Sequence, residues 1–480
     1  MEAIPIGVFW FIAAWAVFKK PSAMIYLFFA SMPFGSFAVV PTGFTGGLTL
    51  TPGPVIAILL IGKELSAPNR IRDAVSSLLD PFRLLPLSLF WIIAAVVTAF
   101  MPRFFAGQIE VIPVRSDSFV TPALLFPTAQ NVSQFVYITI SILTVVVFSQ
   151  LLSRDGMRRH ALNALTLGAI VYVCTGLLDF ASQYVELQPV LEVFRTASYA
   201  LLTDNEVLDS RRIVGLMPEA SAFGAVGISF LTAIYFFRRA MPFGELRNKV
   251  LPTLILILCF SVWVSTSSAA YLGLALFGLA VVAEWFWRFI AVKRNPYLRS
   301  GLPFEFLLGA TVAGLILLIL IAMPTIFTPI VNMVDVMVFQ KSSSSSFEER
   351  GMWTQVSWDA LVASNWLGVG IGSTRASNFV VAMFSNAGLL GGVFYFMFVV
   401  RCLLFKPAEV YDAQGQAISA ACRWAFLPAF CATLTIGTTP DFGLFNAFLL
   451  GFAMAVGKSR NRNHVDAFNY SHKFFKAANQ

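Results

Sequence analysis

Two short stretches of this 480-residue chain carry side chains suited to work on a phosphorylated group. The first is Arg211-Arg212, followed by Pro218-Glu219. The second is Glu348-Glu349-Arg350, followed by the glycine-rich run Gly368-Val-Gly370-Ile-Gly372-Ser373, which leads to Arg375 and Asn378. A guanidinium is planar and permanently charged, so it can hold two phosphate oxygens at once and stabilise charge growing on a leaving oxygen. A carboxylate such as Glu219 can take the proton of an attacking hydroxyl; Glu348, Glu349 and Asp441 come second for that role. The glycine-rich run offers successive backbone N–H groups able to fold into an anion-binding nest. It superficially matches a dinucleotide loop, but no strand precedes it, so the required context fails. Glu219 also follows Pro218 at the mouth of an apolar run, where a carboxylate can serve simply as a helix cap. That alternative stays open.

These residues interrupt a chain that is 58% hydrophobic and 12% charged, with a mean hydropathy of +0.76. Soluble domains carry about 25% charged residues, so the chain reads as an all-α polytopic membrane protein, one integral membrane domain over residues 1–480. About 12–14 spans are expected: 4–18, 21–40, 48–61, 84–100, 135–152, 161–184, 220–237, 250–264, 269–289, 302–323, 379–404, 425–437 and 442–456. The basic residues sort to alternate loops, among them Lys63 to Arg83, Arg154 to Arg159, Arg238 to Lys249, Lys293 to Arg299 and the tail from Lys458. By the positive-inside rule those loops are cytoplasmic and the N-terminus lies outside. The net charge of +8 is then accounted for by topology and anionic lipid headgroups, with no nucleic acid. The five cysteines lie within spans or near the inner face, so no disulfide is expected.

On the outer side this topology leaves a loop at 185–219 and a large one at 324–378. The large loop opens on Lys341 and five serines, a flexible hinge by composition. Ser346 and Glu349 form a capping box, and Met352, Trp353, Val356, Ala360 and Leu361 recur at helical spacing; together they predict a short amphipathic helix on the membrane surface. Asp179, Glu284 and Glu305 fall near span ends, where interfacial water is in reach. No metal-ligand cluster lies on the outer side, so no metal and no cofactor are expected.

In order, spacing and side, Arg212-x-x-Gly215 to Pro218-Glu219, Arg350 after the serine run, and the glycine-rich loop before Asn378 and Ser385-Asn-Ala-Gly388-Leu-Leu-Gly391 resemble the O-antigen ligase and polymerase superfamily. The resemblance covers roughly residues 213–395. It implies a membrane glycosyltransferase (GT-C-like) architecture in the bacterial inner membrane with its site facing the periplasm. The implied substrate is an undecaprenyl-diphosphate-linked oligosaccharide, and membrane lipids with a chain-length regulator or export complex are the implied partners. Ligases of that family carry His-Asn where Ser377-Asn378 stands, whereas the histidines here, His160, His464 and His472, all fall in inner loops. The resemblance therefore points to the polysaccharide polymerases of the exopolysaccharide branch, with a ligase, or a transporter of lipid-linked glycan, as alternatives. Carried onto this sequence, Glu219, Arg212 and Arg350 are the catalytic candidates, and Arg211, Arg375, Asn378, Gly370, Gly372 and Ser373 the substrate-binding ones.

Overall fold

The computed structural model describes residues 3–40, 48–115, 121–154, 156–199, 201–202, 206–207, 210–242, 244–292, 295–322, 345–404 and 412–456. The glycine-rich turn at 41–47, most of the serine run (341–344), Lys293, Lys406, Asp209, His464, His472 and the basic tail lie outside them. The described helices are α1 (Ala3–Phe18), α2 (Pro21–Ser31), α3 (Pro52–Leu65), α4 (Arg70–Leu78), α5 (Leu85–Phe104), α6 (Ala129–Leu151), α7 (Met157–Ala181), α8 (Gln188–Glu192), α9 (Ala220–Phe237), α10 (Leu251–Val264), α11 (Ser268–Ala291), α12 (Pro296–Arg299), α13 (Leu302–Ala322), α14 (Ser345–Ala363), α15 (Phe379–Leu404), α16 (Ala413–Ile436) and α17 (Gly443–Val456). Two short antiparallel hairpins complete the set: β1 (Glu110–Val111) with β2 (Ala123–Leu124), and β3 (Glu206–Val207) with β4 (Ser210–Arg211). Among the described residues nine helices are long and apolar enough to cross a membrane, and α1, α2 and α17 are shorter apolar helices. The chain is a polytopic membrane protein.

Helix boundaries follow local chemistry. Proline occupies the first turn of α2, α3, α5 and α10, where its missing N–H costs nothing. α2 was expected to run to Val40 but ends at Ser31: Met32 still has helical φ and ψ, but Pro33 has no N–H to donate to the next turn. α16 begins at Ala413, well before the expected Ala425. Its first turns carry Gln414, Gln416 and Ser419, which lower the hydropathy, yet they bond inside the bundle: Gln414 donates to the Ala240 carbonyl at 3.0 Å, and Asp412 caps the Gly415 N–H at 2.7 Å.

Packing is dominated by α5 along α15, α9 along α16 and α2 along α7. One large apolar cluster runs through the bundle, with Phe29, Phe148 and Phe448 meeting edge to face at its centre. At the basic end the expectation of water-exposed acids is corrected. Glu284 is buried and pairs with Arg288 at 2.9 Å and Arg239 at 3.3 Å, and Glu305 is shared by Arg239 and Arg288. Charges inside a bilayer persist when they face the bundle and pair.

The end of the bundle opposite these arginines holds both candidate stretches. A cysteine placed at exposed Gln108, at that end, is expected to react with a membrane-impermeant thiol reagent in intact cells, and one at exposed Glu245 only after the membrane is opened. Asn295 is a poor probe, since its side chain caps α12 and bonds Ala413 and Gln416. Equal labelling of Gln108→Cys and Glu245→Cys in intact cells would overturn the orientation.

Candidate functional site

The segment before α9 is fixed by a carboxylate that sequence reasoning placed at interfacial water. Asp179, in the last turn of α7, is fully buried. It accepts four donors: the Val214 and Gly215 N–H groups at 2.7 and 2.9 Å, and the Arg195 and Arg211 guanidiniums at 3.2 and 3.1 Å. Arg211, expected to bind substrate, thus has an internal anchor. The available signal was an acid inside an apolar run with arginines on the same side of the membrane.

Arg212, the next residue, points the other way. Its Nε and one Nη donate to the hydroxyl and carbonyl of Thr266, at 3.3 and 2.9 Å, in the α10–α11 turn, where Thr266 adopts φ +47°. Burial lowers the pKa of Arg212; the Glu219 carboxylate raises it and the Arg350 guanidinium lowers it further. The fold therefore brings Glu219, at the start of α9, and Arg350, on α14, each within electrostatic range of Arg212. Glu219 occupies the N-cap position of α9 in extended conformation, yet its carboxylate makes no capping bond to the backbone; it accepts the Ser221 hydroxyl instead. The Arg350 carbonyl accepts the Thr354 hydroxyl at 3.0 Å, but its guanidinium makes no hydrogen bond among the described residues. The Arg212 guanidinium thus lies within reach of one carboxylate that favours its charge and of a second guanidinium that opposes it.

The glycine-rich run does not form the expected nest. Each N–H from Gly368 to Ser373 already donates within the protein: to the Ser364 hydroxyl, the Ser385 carbonyl, the Asn386 carbonyl, the Thr98 hydroxyl, the Asn386 side chain and the Gly370 carbonyl. Gly370, Gly372 and Ser373 are thus structural, and Ser373 itself is buried between the Val369 carbonyl and Asn131. Asn386 is the hub: its Oδ1 takes the Gly372 N–H at 2.9 Å, and its Nδ2 donates to the Thr374 and Ala382 carbonyls at 2.9 and 2.8 Å. An Asn inside an apolar span was the signal for it. Close approach requires the glycines. A Cβ on Gly388, which breaks α15 at φ +72°, would lie 2.3 Å from the Leu367 carbonyl oxygen, and one on Gly372 would lie 2.5 Å from the Gln130 carbonyl oxygen.

This plug seats the helix that carries Arg350. α14 forms as the periodicity predicts, but it begins at Ser345, so Ser346 stands inside it rather than capping it; the Ser346 side chain lies outside the described residues. Its buried face, Ser357, Ala360 and Leu361, packs on the plug and β1. The Ser357 hydroxyl meets that of Thr374 at 2.8 Å and donates to the Arg375 carbonyl at 2.8 Å. The Arg375 guanidinium stacks on Trp353 at 3.9 Å, with burial lowering its pKa and Glu349 raising it. Asn378, expected to bind substrate, caps α15 by accepting the Val380 and Val381 N–H groups at 2.9 and 3.2 Å.

Asp441, in the turn before α17, accepts the Ser141 hydroxyl at 2.7 Å and the Gly443 N–H at 3.1 Å; burial pushes its carboxyl pKa up, and both bonds oppose the shift. His160, in contact with Tyr26, is at the basic end. Among the described residues no three His, Cys, Asp or Glu side chains gather to hold a metal ion. No protein-family model matches the chain, and no curated protein is significantly similar to it.

If the glycine run is a structural plug, Gly372→Ala is expected to cost roughly 2 kcal/mol, from the left-handed backbone alone and before any overlap is relieved. Gly62→Ala, with open space around its Cβ, should leave stability unchanged or slightly higher. Thermal melting of the two purified variants in detergent checks this, and equal melting would return the run to a loose, ligand-ready loop.

Proposed function

We propose that this chain is a membrane glycosyltransferase that polymerises glycan repeat units carried on a lipid diphosphate, at the bundle end opposite its basic loops. The observation that carries the reading is that Arg212, held at the α10–α11 turn, lies within electrostatic range of both Glu219 and Arg350, which come from separate segments. Glycosyl transfer from a lipid diphosphate needs cationic donors on the leaving oxygens and a base on the acceptor hydroxyl. Fixed charges in a water-poor site supply the first without reorganisation at the moment of reaction. Arg350, with its guanidinium unbonded among the described residues, is the arm that takes the diphosphate. Arg212 is held by Thr266 and supplies a second, pre-oriented charge. Glu219, unengaged by the helix end it borders, takes the hydroxyl proton. His160 at the basic end favours polymerase over ligase within this reading, because ligases of the resembling family use a histidine beside the asparagine.

The test uses purified protein and a synthetic lipid-diphosphate oligosaccharide, with polymer formed per mole of enzyme as the readout. The parent joins repeat units without a separate acceptor. Glu219→Gln retains size and the Ser221 contact but loses the base, so turnover should fall by roughly 10² to 10⁴ with binding preserved. Arg350→Lys keeps the charge but loses the planar fork, and should lose turnover with melting unchanged. Arg212→Lys should lose turnover and some stability together, since it also releases the Thr266 turn. Turnover close to the parent in both Glu219→Gln and Arg350→Lys would overturn the site.

A further inference from the structure

A second candidate site lies toward the basic end of the bundle, on its outer wall. Between α7 and α10 runs a groove of about 440 Å³ whose sides are Ile170, Val173, Leu254 and Ile257, with Thr253 among them and Lys249 at its rim. Ile170 and Ile257 are partly exposed, so the groove opens sideways, where a membrane protein meets acyl chains. The backbone at the rim is itself unusual: Leu246–Val250 is one turn of π-helix, a widened turn frequent at functional positions.

The charge at this end of the bundle is one-sided. Among the described residues Arg238, Arg239, Arg247 and Arg288 gather around only two carboxylates, Glu284 and Glu305. Lys249, two residues beyond Arg247, pairs with Glu245 at 2.8 Å, but both side chains are largely exposed and such pairs contribute little. An apolar groove beside surplus positive charge at the headgroup level fits a lipid with a negative head.

We propose that the α7–α10 groove is a binding site for an anionic phospholipid, with one acyl chain along Ile170, Val173, Leu254 and Ile257 and its phosphate at Lys249. The phosphate displaces the exposed Glu245 contact, at the end of the bundle that carries the arginine cluster. The chain fills apolar volume that water does not occupy favourably.

Native mass spectrometry of the full-length protein in detergent, incubated with phosphatidylglycerol or with phosphatidylethanolamine of the same chains, tests the site. The parent should retain phosphatidylglycerol roughly fivefold more strongly, the scale of one basic residue near an anionic headgroup. Lys249→Glu should abolish that preference, and Thr253→Trp, which fills the groove, should reduce retention of both lipids. Leu256→Trp, on the exposed face of the same helix, should change neither. Equal retention of the two lipids by the parent overturns the proposal, as does parent-like retention in either Lys249→Glu or Thr253→Trp. A loss in Leu256→Trp equal to that in Thr253→Trp also overturns it, by showing that a surface tryptophan anywhere on α10 suffices.

Discussion

Every polar group that enters a membrane bundle without helical partners must be bonded by the protein itself, because no water is present to do it. The segment from Ser364 to Asn378 is the place where this constraint shapes the molecule. It is irregular backbone packed against α5, α6 and α15, and its N–H groups are met by Thr98, Ser364, Ser385 and Asn386. Asn131 and Asn386 take the remaining bonds from flanking helices. Satisfied in this way the segment is a rigid plug, and the only helix described between α13 and α15, α14, rests on it.

The same logic holds on the other side of the candidate site. Asp179 draws the Val214 and Gly215 amides and two arginines onto one carboxylate, which sets the chain direction just before α9. Removing one partner of a buried set like this is costly, about 3–5 kcal/mol, because a charge is left without compensation. The consequence is a division of labour between neighbours. Arg211 is turned inward to hold the loop, and Arg212 is turned toward Thr266, Glu219 and Arg350.

Rigid surroundings matter for any electrostatic role of these groups. A guanidinium that must reorganise to meet an anion gives back much of the attraction, whereas one already held does not. Arg212 is held and the Arg350 guanidinium is unbonded among the described residues, so one is pre-set and the other can follow a ligand. At the opposite end the arginine–glutamate network ties α9, α11 and α13 together, leaving Lys249 outside it on the lipid-facing wall.

Hydropathy by itself determined the class of protein and most of its spans, because a bilayer demands long apolar helices and the demand is local in sequence. α9 and α15 were legible to the residue, and the periodicity of 352–361 gave α14. The same rule failed where polar residues are bonded inside the bundle: α16 starts twelve residues early, and buried Asp179 and Glu284 and half-buried Glu305 are all paired with arginines. Residue type singled out arginines, a glutamate and a glycine run as candidates, and type cannot separate a group that binds a ligand from one that binds its own chain. Only the tertiary structure decided that. It turned Gly370, Gly372, Ser373 and Asn378 into internal partners, gave Arg211 to Asp179, and placed Glu219 and Arg350 within electrostatic range of Arg212, since which hydrogen bonds a side chain makes depends on segments far away in sequence.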